Sequence, residues 1–551
     1  MKKIYAVCTK SFSAIACFIF IQALQAQPAP AIQADKTIGG GGTDNSAKVI
    51  QTKDGGYMIC GTSYSNLSGD KTVPSVRKYF SDIWIVRCNN AGEITWQLDV
   101  GSNLDDLFGD FKLTPDGGLI FVASSRGNIS GNKTENSRGR EDYWIVKINS
   151  KGKIEWDKTY GGSNTDYGGP VALASDGGYF IGGVSYSEKS GDKAYNKFGK
   201  SDYWLLKLDH NGNLEWQKEY GGKYYTRNFL TSIVSTIDGC IIGGISEDGI
   251  AGNKTCAGYG GSDYWLIRLD NKGREIWQKN YGGSGDDECL YMSLGKNNTF
   301  LVGGNSNSNI SGIKTENSYG GNHDYWVLCI DINGNIIWQK TLGGNNVDFI
   351  ASVEQTEDGG CIVGGNSNSP KSGVKSENNH GETGYDYDTW IVKLDKNNNI
   401  QWDKTIGGNR YEERGSIKPT LNGGYILCTS SESGISGDKT DTLRGNEDFW
   451  LVKLYPDTPS FSHNKNGPVE NPGIPSIKIY PNPAKDFLNI EGLDINKKYT
   501  IFITDLKGNV LYNTKIQPGI SQVKLPYMLK GNYFIKISDG KKIVTRQFMK
   551  E

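Results

Sequence analysis

Methionine and histidine are scarce in this sequence, at 5 and 4 of 551 residues. It has no CxxC pair, and its ten cysteines follow no metal-ligand spacing. GxSxG, HExxH and Walker-type phosphate loops are also missing. A zinc ribbon, a dithiol redox centre, a zincin, an α/β-hydrolase and a P-loop enzyme therefore have no motif to rest on. His323 and His380 fall in adjacent loops, without the third ligand that a metal centre needs. After the first two dozen residues no apolar run is long enough for a membrane helix. Net charge is low, at −1, but it is unevenly spread. Residues 476–551 carry 13 Lys+Arg against 6 Asp+Glu and residues 1–26 carry three Lys, which leaves about −11 on the stretch between. An acidic main body argues against nucleic acid as the partner.

What is abundant is glycine (73), tyrosine (30) and, for so rare a residue, tryptophan (13). This composition suits strands joined by tight turns. The opening "MKKIYAVCTKSFSAIACFIFIQALQAQ" pairs a basic start with an apolar run and small residues near Ala26, the pattern of a secretory signal peptide spanning 1–26. The eight later cysteines (60, 88, 240, 256, 289, 329, 361 and 428) mostly sit at strand positions where other repeats carry small apolar residues, so they read as buried free thiols. Cys60 and Cys428 occupy equivalent repeat positions, and export would permit a bridge between them.

The tryptophans set the organisation. Asp-x-Trp recurs at Asp82/Trp84, Asp142/Trp144, Asp202/Trp204, Asp263/Trp265, Asp324/Trp326, Asp388/Trp390 and Asp448/Trp450, about every 60 residues. A second Trp follows the first six of these at a constant offset, at 96, 156, 216, 277, 338 and 402. Each unit reads as four strands. In the third unit strand a is near 166–175, strand b is "YFIGGVSYS", strand c is "DYWLLKLD" and strand d is "LEWQKEY", with Asp-Gly and Asn-Gly turns at a–b and c–d. Trp204, Leu206 and Leu208 alternate with Tyr203 and Leu205, so strand c is apolar on both faces and covered on both sides. A four-stranded unit of this kind, stacked between neighbours, is a propeller blade.

The seventh unit stops after strand c. Its missing strand d is matched by "ADKTIGGGGTD" (34–44), which aligns with "WDKTYGGSNTD" (156–166). The expectation is an all-β chain: a seven-bladed β-propeller over 32–455 whose N-terminal strand closes the last blade, a Pro/Asn/Gly-rich linker over 456–475, and a small Ig-like β-sandwich over 476–551.

Three resemblances add to this. The "KLDHNGNLEW" hairpin resembles the Trp-bearing hairpin of quinoprotein-type propellers, and the repeats resemble the Gly-Gly-Tyr repeats of exported Bacteroidetes proteins. Such repeats sometimes carry a glucanase-like label, but that label brings no catalytic motif onto residues here. "SIKIYPNPAKDFLNI", "ITDLKGNVLYN" and "LKGNYFIKIS" resemble the type A C-terminal sorting domain of the type IX secretion system. Its landmarks fall on Tyr480, Pro481, Asn482 and Pro483, on Asp505 and Gly508, and on Gly531 and Tyr533. The resemblance implies passage across the outer membrane by that machinery, and release or attachment at the cell surface.

The long b–c loops of a blade share one face with the d–a connections, and ligand sites favour such loops. Two acidic series point there. One is the Asp that opens every strand c. The other opens strand a, at Asp44, Asp106, Asp166, Asp287, Asp348 and Glu412, with Thr226 standing at the exceptional fourth repeat beside Tyr224, Tyr225 and Arg227. As ligands these carboxylates would suit Ca²⁺ or a sugar. As structure they would accept backbone N–H bonds in their own turns. Both readings stand at this point. "SGDK" variants recur in the b–c loops and read as turns. The functional expectation is an exported, non-enzymatic module that binds glycan or protein at the loop face, with a polysaccharide-degrading enzyme as the alternative.

Overall fold

In the computed structural model the described residues are 27–223, 225–381, 386–457 and most of 478–550. The expected signal peptide, Tyr224, most of the expected linker, Asn482, Asp505 and Gly508 lie outside them. The chain divides into two units, Met1–Pro459 and Ser460–Glu551.

Among the described residues the first unit is all-β, apart from one three-residue 3₁₀ turn. It contains seven four-stranded antiparallel sheets, consistent with propeller blades. The first comprises Asp44–Gln51, Tyr57–Ser63, Asp82–Cys88 and Ile94–Val100 as strands a to d. The remaining strands a are Asp106–Leu113, Asp166–Leu173, Asn228–Thr236, Asp287–Leu294, Asp348–Gln355 and Glu412–Pro419. The seventh sheet takes its strand d from the other end of the chain. Strand β1 (Ile32–Ile38) pairs antiparallel with Asp448–Leu454, with Asp35 opposite Val452 and Thr37 opposite Trp450.

Alternation along strand c sends one strand into two cores. Trp204, Leu206 and Leu208 pack with Tyr143, Ile145 and Val171 of the second and third sheets. Tyr203 and Leu205 pack with Trp265 and Ile267 of the fourth. At four junctions the residue before one tryptophan is a tyrosine that meets the tryptophan of the next sheet. Tyr143 lies 4.9 Å from Trp204, Tyr203 5.0 Å from Trp265, Tyr264 4.9 Å from Trp326 and Tyr325 5.1 Å from Trp390.

Trp144 and Trp450 depart from this ring pairing, although the Asp-x-Trp motif makes all seven look equivalent. The residue before the preceding tryptophan is Ile83 in one case and Thr389 in the other. Trp144 shares its core with Ile83 and Ile85 of the first sheet, and its ring contact lies within its own sheet, edge-on to Phe121 at 6.2 Å. The variable middle residue of the motif thus decides what each tryptophan packs against. The series still meets its start, because Phe449 of the seventh sheet stacks 5.5 Å from Trp84 of the first.

All seven strand-c tryptophans, Trp144 included, are fully buried. At roughly 150–250 Å² each and about 25 cal/mol/Å², each contributes on the order of 4–6 kcal/mol, and only with both neighbours present. Strands a of successive sheets touch one another, and the seventh touches the first, so they are innermost.

Polar side chains repeat with equal regularity. The residue after each second tryptophan, at Gln97, Asp157, Gln217, Gln278, Gln339 and Asp403, accepts the indole N–H of its own sheet's strand-c tryptophan at 2.9–3.2 Å. In the seventh sheet Asp35 of β1 takes this place, 3.0 Å from Trp450 Nε1.

All eight described cysteines are free thiols, and seven are buried. Cys60 and Cys428 belong to different core clusters, so the conceivable bridge between them does not form.

The second unit holds a three-stranded and a four-stranded antiparallel sheet over one shared core, which includes Leu488, Ile501, Ile503, Ile535 and Phe548. No described helix is long and apolar enough to cross a membrane.

Candidate functional site

Both acidic series are buried, and both hold the turns of their own repeat. Each strand-c carboxylate accepts a backbone N–H from the loop before it: Asp82 from Val76 (2.7 Å), Asp142 from Arg138, Asp202 from Phe198, Asp263 from Tyr259 (2.8 Å), Asp324 from Tyr319 (2.6 Å), Asp388 from His380 (2.6 Å) and Asp448 from Arg444. Their second oxygens rest on the first glycine after strand d. A Cβ there would stand 1.7 Å from Asp82 Oδ1 at Gly101 and 1.9 Å from Asp448 Oδ1 at Gly39, so glycine is required.

The strand-a carboxylates accept the N–H four residues upstream, Asp44 from Gly40 at 2.7 Å, Asp106 from Ser102 at 2.6 Å, Asp166 from Gly162 at 2.7 Å, Asp287 from Gly283 at 2.7 Å, Asp348 from Gly344 at 2.8 Å and Glu412 from Gly408 at 3.1 Å. Each is fully buried. Burial lifts Asp106 and Asp348 to about 6 and Glu412 to about 8. No group of three or more ion-holding side chains is found among the described residues. This placement fits the structural reading of the two series.

The lysine of the "SGDK" turn completes the arrangement. Lys71, Lys133, Lys193, Lys254, Lys314, Lys375 and Lys439 are all at most 2% exposed, and each reaches back into its own blade. Lys71 Nζ donates to Ser65 O at 2.9 Å, and Lys314 Nζ to Ser308 O at 2.7 Å. The attraction of Lys133 is felt by Asp106 and Asp142 together, so one ammonium offsets two buried carboxyls. The constancy of this lysine was legible in the sequence; its burial was not.

The fourth repeat corrects the alignment. The strand-a position falls on Asn228, not Thr226, because the preceding connection is two residues longer. Its carboxylate has moved to Asp248, which accepts from Lys223 N at 2.9 Å and Asn228 Nδ2 at 3.1 Å. Tyr225 and Arg227 are both exposed on this connection.

The variable chemistry lies one residue away from the constant chemistry. The residue just before each strand-c Asp is Ser81, Glu141, Ser201, Ser262, His323, Tyr387 or Glu447. Its carbonyl accepts the N–H of a strand-a opening residue, as in Tyr387 O from Glu412 N (2.8 Å) and Glu447 O from Asp44 N (2.8 Å). A fixed backbone thus holds this position beside the innermost strands; Ser81, Glu141, Ser201 and Ser262 are buried there, whereas His323, Tyr387 and Glu447 are partly exposed.

On the fifth to seventh sheets His323 and Tyr387 of this set join Phe349 and Tyr411, which flank the openings of strands a, in a half-exposed aromatic run. His323 lies 5.5 Å from Phe349, Phe349 stacks 6.3 Å from Tyr387, and Tyr387 meets Tyr411 edge-on at 5.5 Å. Glu447 follows, accepting from Asn45 Nδ2 at 3.1 Å. Burial raises the Glu447 carboxyl to about 7, with Glu413 and Glu432 adding to the shift. On the second and third sheets a shallow groove of about 510 Å³ is lined by Leu104, Arg126, Arg140, Glu141, Thr165 and Tyr167. There Arg126 pairs with Glu141, which accepts from Thr165 Oγ1 at 2.8 Å.

In the second unit Tyr480 ends the strand Lys478–Tyr480, and Pro481 and Pro483 follow it. Gly531 opens the strand Gly531–Ser538, in which Tyr533 lies 5.9 Å from Phe548.

Residues 478–551 match the family model of the secretion system C-terminal sorting domain. The C-terminus is therefore a type IX sorting domain, and the chain is sorted for export to the cell surface or for secretion. Among curated proteins, the regulatory protein FlaEY of Caulobacter vibrioides is 25% identical over 162 residues, covering 28% of this chain and 17% of that protein. The chain thus spans about a sixth of the length of that relative. Similar solved structures include hydrazine synthase of Kuenenia stuttgartiensis (11% identity, 58% of this chain and 74% of that one, TM-score 0.33). Others are a Dyadobacter fermentans protein of unknown function (11%, 78% and 100%, TM-score 0.35) and the Neurospora crassa Pan2 WD40 domain (11%, 58% and 86%, TM-score 0.31). At these TM-scores the likenesses carry no argument.

Proposed function

We propose that this is a type IX-exported, seven-bladed propeller closed by β1, with a small Ig-like sorting sandwich, that binds a glycan at the mouth of its axial channel. One observation carries the reading. The positions just before the strand-c Asp share a backbone geometry, and on three neighbouring sheets they are the partly exposed His323, Tyr387 and Glu447, with the rings of Phe349 and Tyr411 packed against the first two. Pyranose rings present C–H faces that stack on aromatics, and hydroxyls that donate to carboxylates. Asp44, Asp106, Asp166, Asp287, Asp348 and Glu412 support this mouth from beneath, and Tyr225 and Arg227 extend it at the fourth sheet.

A second reading has its own observation. Glu447 holds its proton to about 7, while Glu413 and Glu432 stand nearby. A carboxylic acid kept neutral near pH 7 with further carboxyl groups beside it is the arrangement that polysaccharide hydrolysis uses.

A glycan array probed with the exported chain tests the first reading. Binding to a defined glycan class should fall about tenfold in Tyr387→Ala and in Phe349→Ala, one stacking contact each at roughly 1–1.5 kcal/mol. An array without hits, or hits insensitive to both variants, would count against it. Turnover of the bound polysaccharide, lost in Glu447→Gln, would favour the second.

A further inference from the structure

Below the mouth the innermost strands carry a second set of polar side chains. Lys48 lies on strand a of the first sheet, Asp110 and Lys112 on that of the second, Glu354 on that of the sixth and Lys418 on that of the seventh. They sit four to six residues beyond the residues that open these strands, roughly 13–20 Å deeper at about 3.3 Å per residue. Lys48 Nζ donates to Asp110 Oδ1 at 3.0 Å, and Lys112 Nζ to Asp110 Oδ2 at 2.8 Å. Lys418 pairs with Glu354 and donates to Tyr291 Oη at 2.9 Å, and Tyr291 in turn donates to Glu354 at 2.7 Å.

Although they lie on innermost strands, the Lys112 and Lys418 side chains remain 36% and 24% exposed, so solvent and small ions reach them. Asp110 is already filled, since it also accepts Val171 N at 3.3 Å. Among the described side chains at this depth, three ammonium groups face two carboxylates, which leaves one positive charge in excess. Lys112 feels that excess. Burial and the like charges of Lys48 and Lys418 pull its pKa down, against the opposing attraction of Asp110.

We propose that Lys48, Lys112 and Lys418 form an anion site in the axial channel, and that it takes one carboxylate. The carboxylate's source is either a free small acid or the uronate of an acidic glycan. The site stands on these contacts alone, whether or not the mouth binds glycan.

Calorimetric titration of the full chain with sodium acetate, sodium glucuronate and glucose tests this. Acetate and glucuronate should each saturate at one site, and glucose should not. Tighter glucuronate than acetate binding assigns the uronate source, and equal or weaker binding the free acid. Lys112→Met should weaken acetate at least tenfold. Asp110→Asn, which removes a negative charge, should strengthen it several-fold. Tyr387→Ala, a mouth variant, should leave acetate binding unchanged, which separates this site from the mouth. No saturable acetate binding, wild-type affinity in Lys112→Met, or weaker binding in Asp110→Asn would overturn the proposal. Should Lys112→Met fail to fold, the sign of the Asp110→Asn effect still decides.

Discussion

At the scale of single residues, the second repeat shows how tightly the turns are packed. In five of the seven repeats the second glycine after strand d faces a serine that follows strand b, as Gly162 faces Ser187, with only 2.5 Å from a built Cβ to the serine Cβ. The second repeat inverts the pair. Ser102 stands at the glycine position and Gly127 at the serine position, where an added Cβ would lie 2.0 Å from Ser102 Oγ. Two departures from the pattern are one exchange. Gly127→Ser alone should cost about 1–3 kcal/mol by overpacking. Adding Ser102→Gly should recover most of that loss, because it restores the arrangement of the other repeats. Urea unfolding of the four members of the cycle measures the coupling, and simple additivity would show that the two sites do not touch. Both departures were legible in the sequence; their contact was not, because it crosses from one connection to another.

At the scale of elements, the strands and their grouping were legible because the tryptophan spacing never drifts. What each tryptophan touches was less so. Trp144 and Trp204 carry the same motif, yet only Trp204 meets a tyrosine of the sheet before it. The role of β1 was legible from "ADKTIGGGGTD" alone. The side chains give it more to do than the pairing implies. Asp35 accepts both Trp450 Nε1 at 3.0 Å and Thr440 N at 2.9 Å, and Gly39 makes room for Asp448. The fourth repeat was misread because a fixed offset from Gly-Gly cannot see a two-residue insertion, so Thr226 stood in for Asn228. The part-exposed His323, Tyr387 and Glu447 were missed for the opposite reason. A search for repeated residues finds the buried carboxylates, whereas the residue beside each of them varies, and what the seven have in common is a backbone hydrogen bond. The channel lysines were missed too. Strand a carries a bulge, as between Asn45 and Lys48 or Phe108 and Asp110, and this shifts which positions face the axis.

At the scale of the whole molecule, the buried acids set the response to pH. Burial first, and neighbouring carboxyls in part, raise Asp142 and Asp448 to about 6 and Asp263 and Asp324 to about 7. The unfolded chain releases these protons near pH 4, so between pH 4 and 7 the folded chain binds more protons. Stability supplied by these groups is complete below their unfolded pKa and is lost as pH rises through their folded values. His380 acts in the same direction. Its hydrogen bond to Asp438, 3.1 Å away, raises its pKa, and that contribution fades as pH rises past the folded value. Asp116 and Asp441, lowered to about 2, turn the curve over only in stronger acid. The melting temperature should therefore be higher at pH 5 than at pH 7.5, as a pH series of thermal scans would show. A melting temperature that rises steadily from pH 5 to 7.5 would mean that these acids are ionised in the native state.

Both proposed sites depend on the first strand of the exported chain lying against the last sheet. Native-state hydrogen exchange read at Lys36 and Ile38 tests that pairing directly, because on this edge strand alternate amides bond across while the Thr37 N–H goes to the Asp441 carboxylate. These two amides should exchange as slowly as those of Leu451 and Phe449 opposite them, at the rate set by global unfolding. Exchange of the two at the rate of an unstructured peptide, with the rest of the sheet protected, would contradict the account.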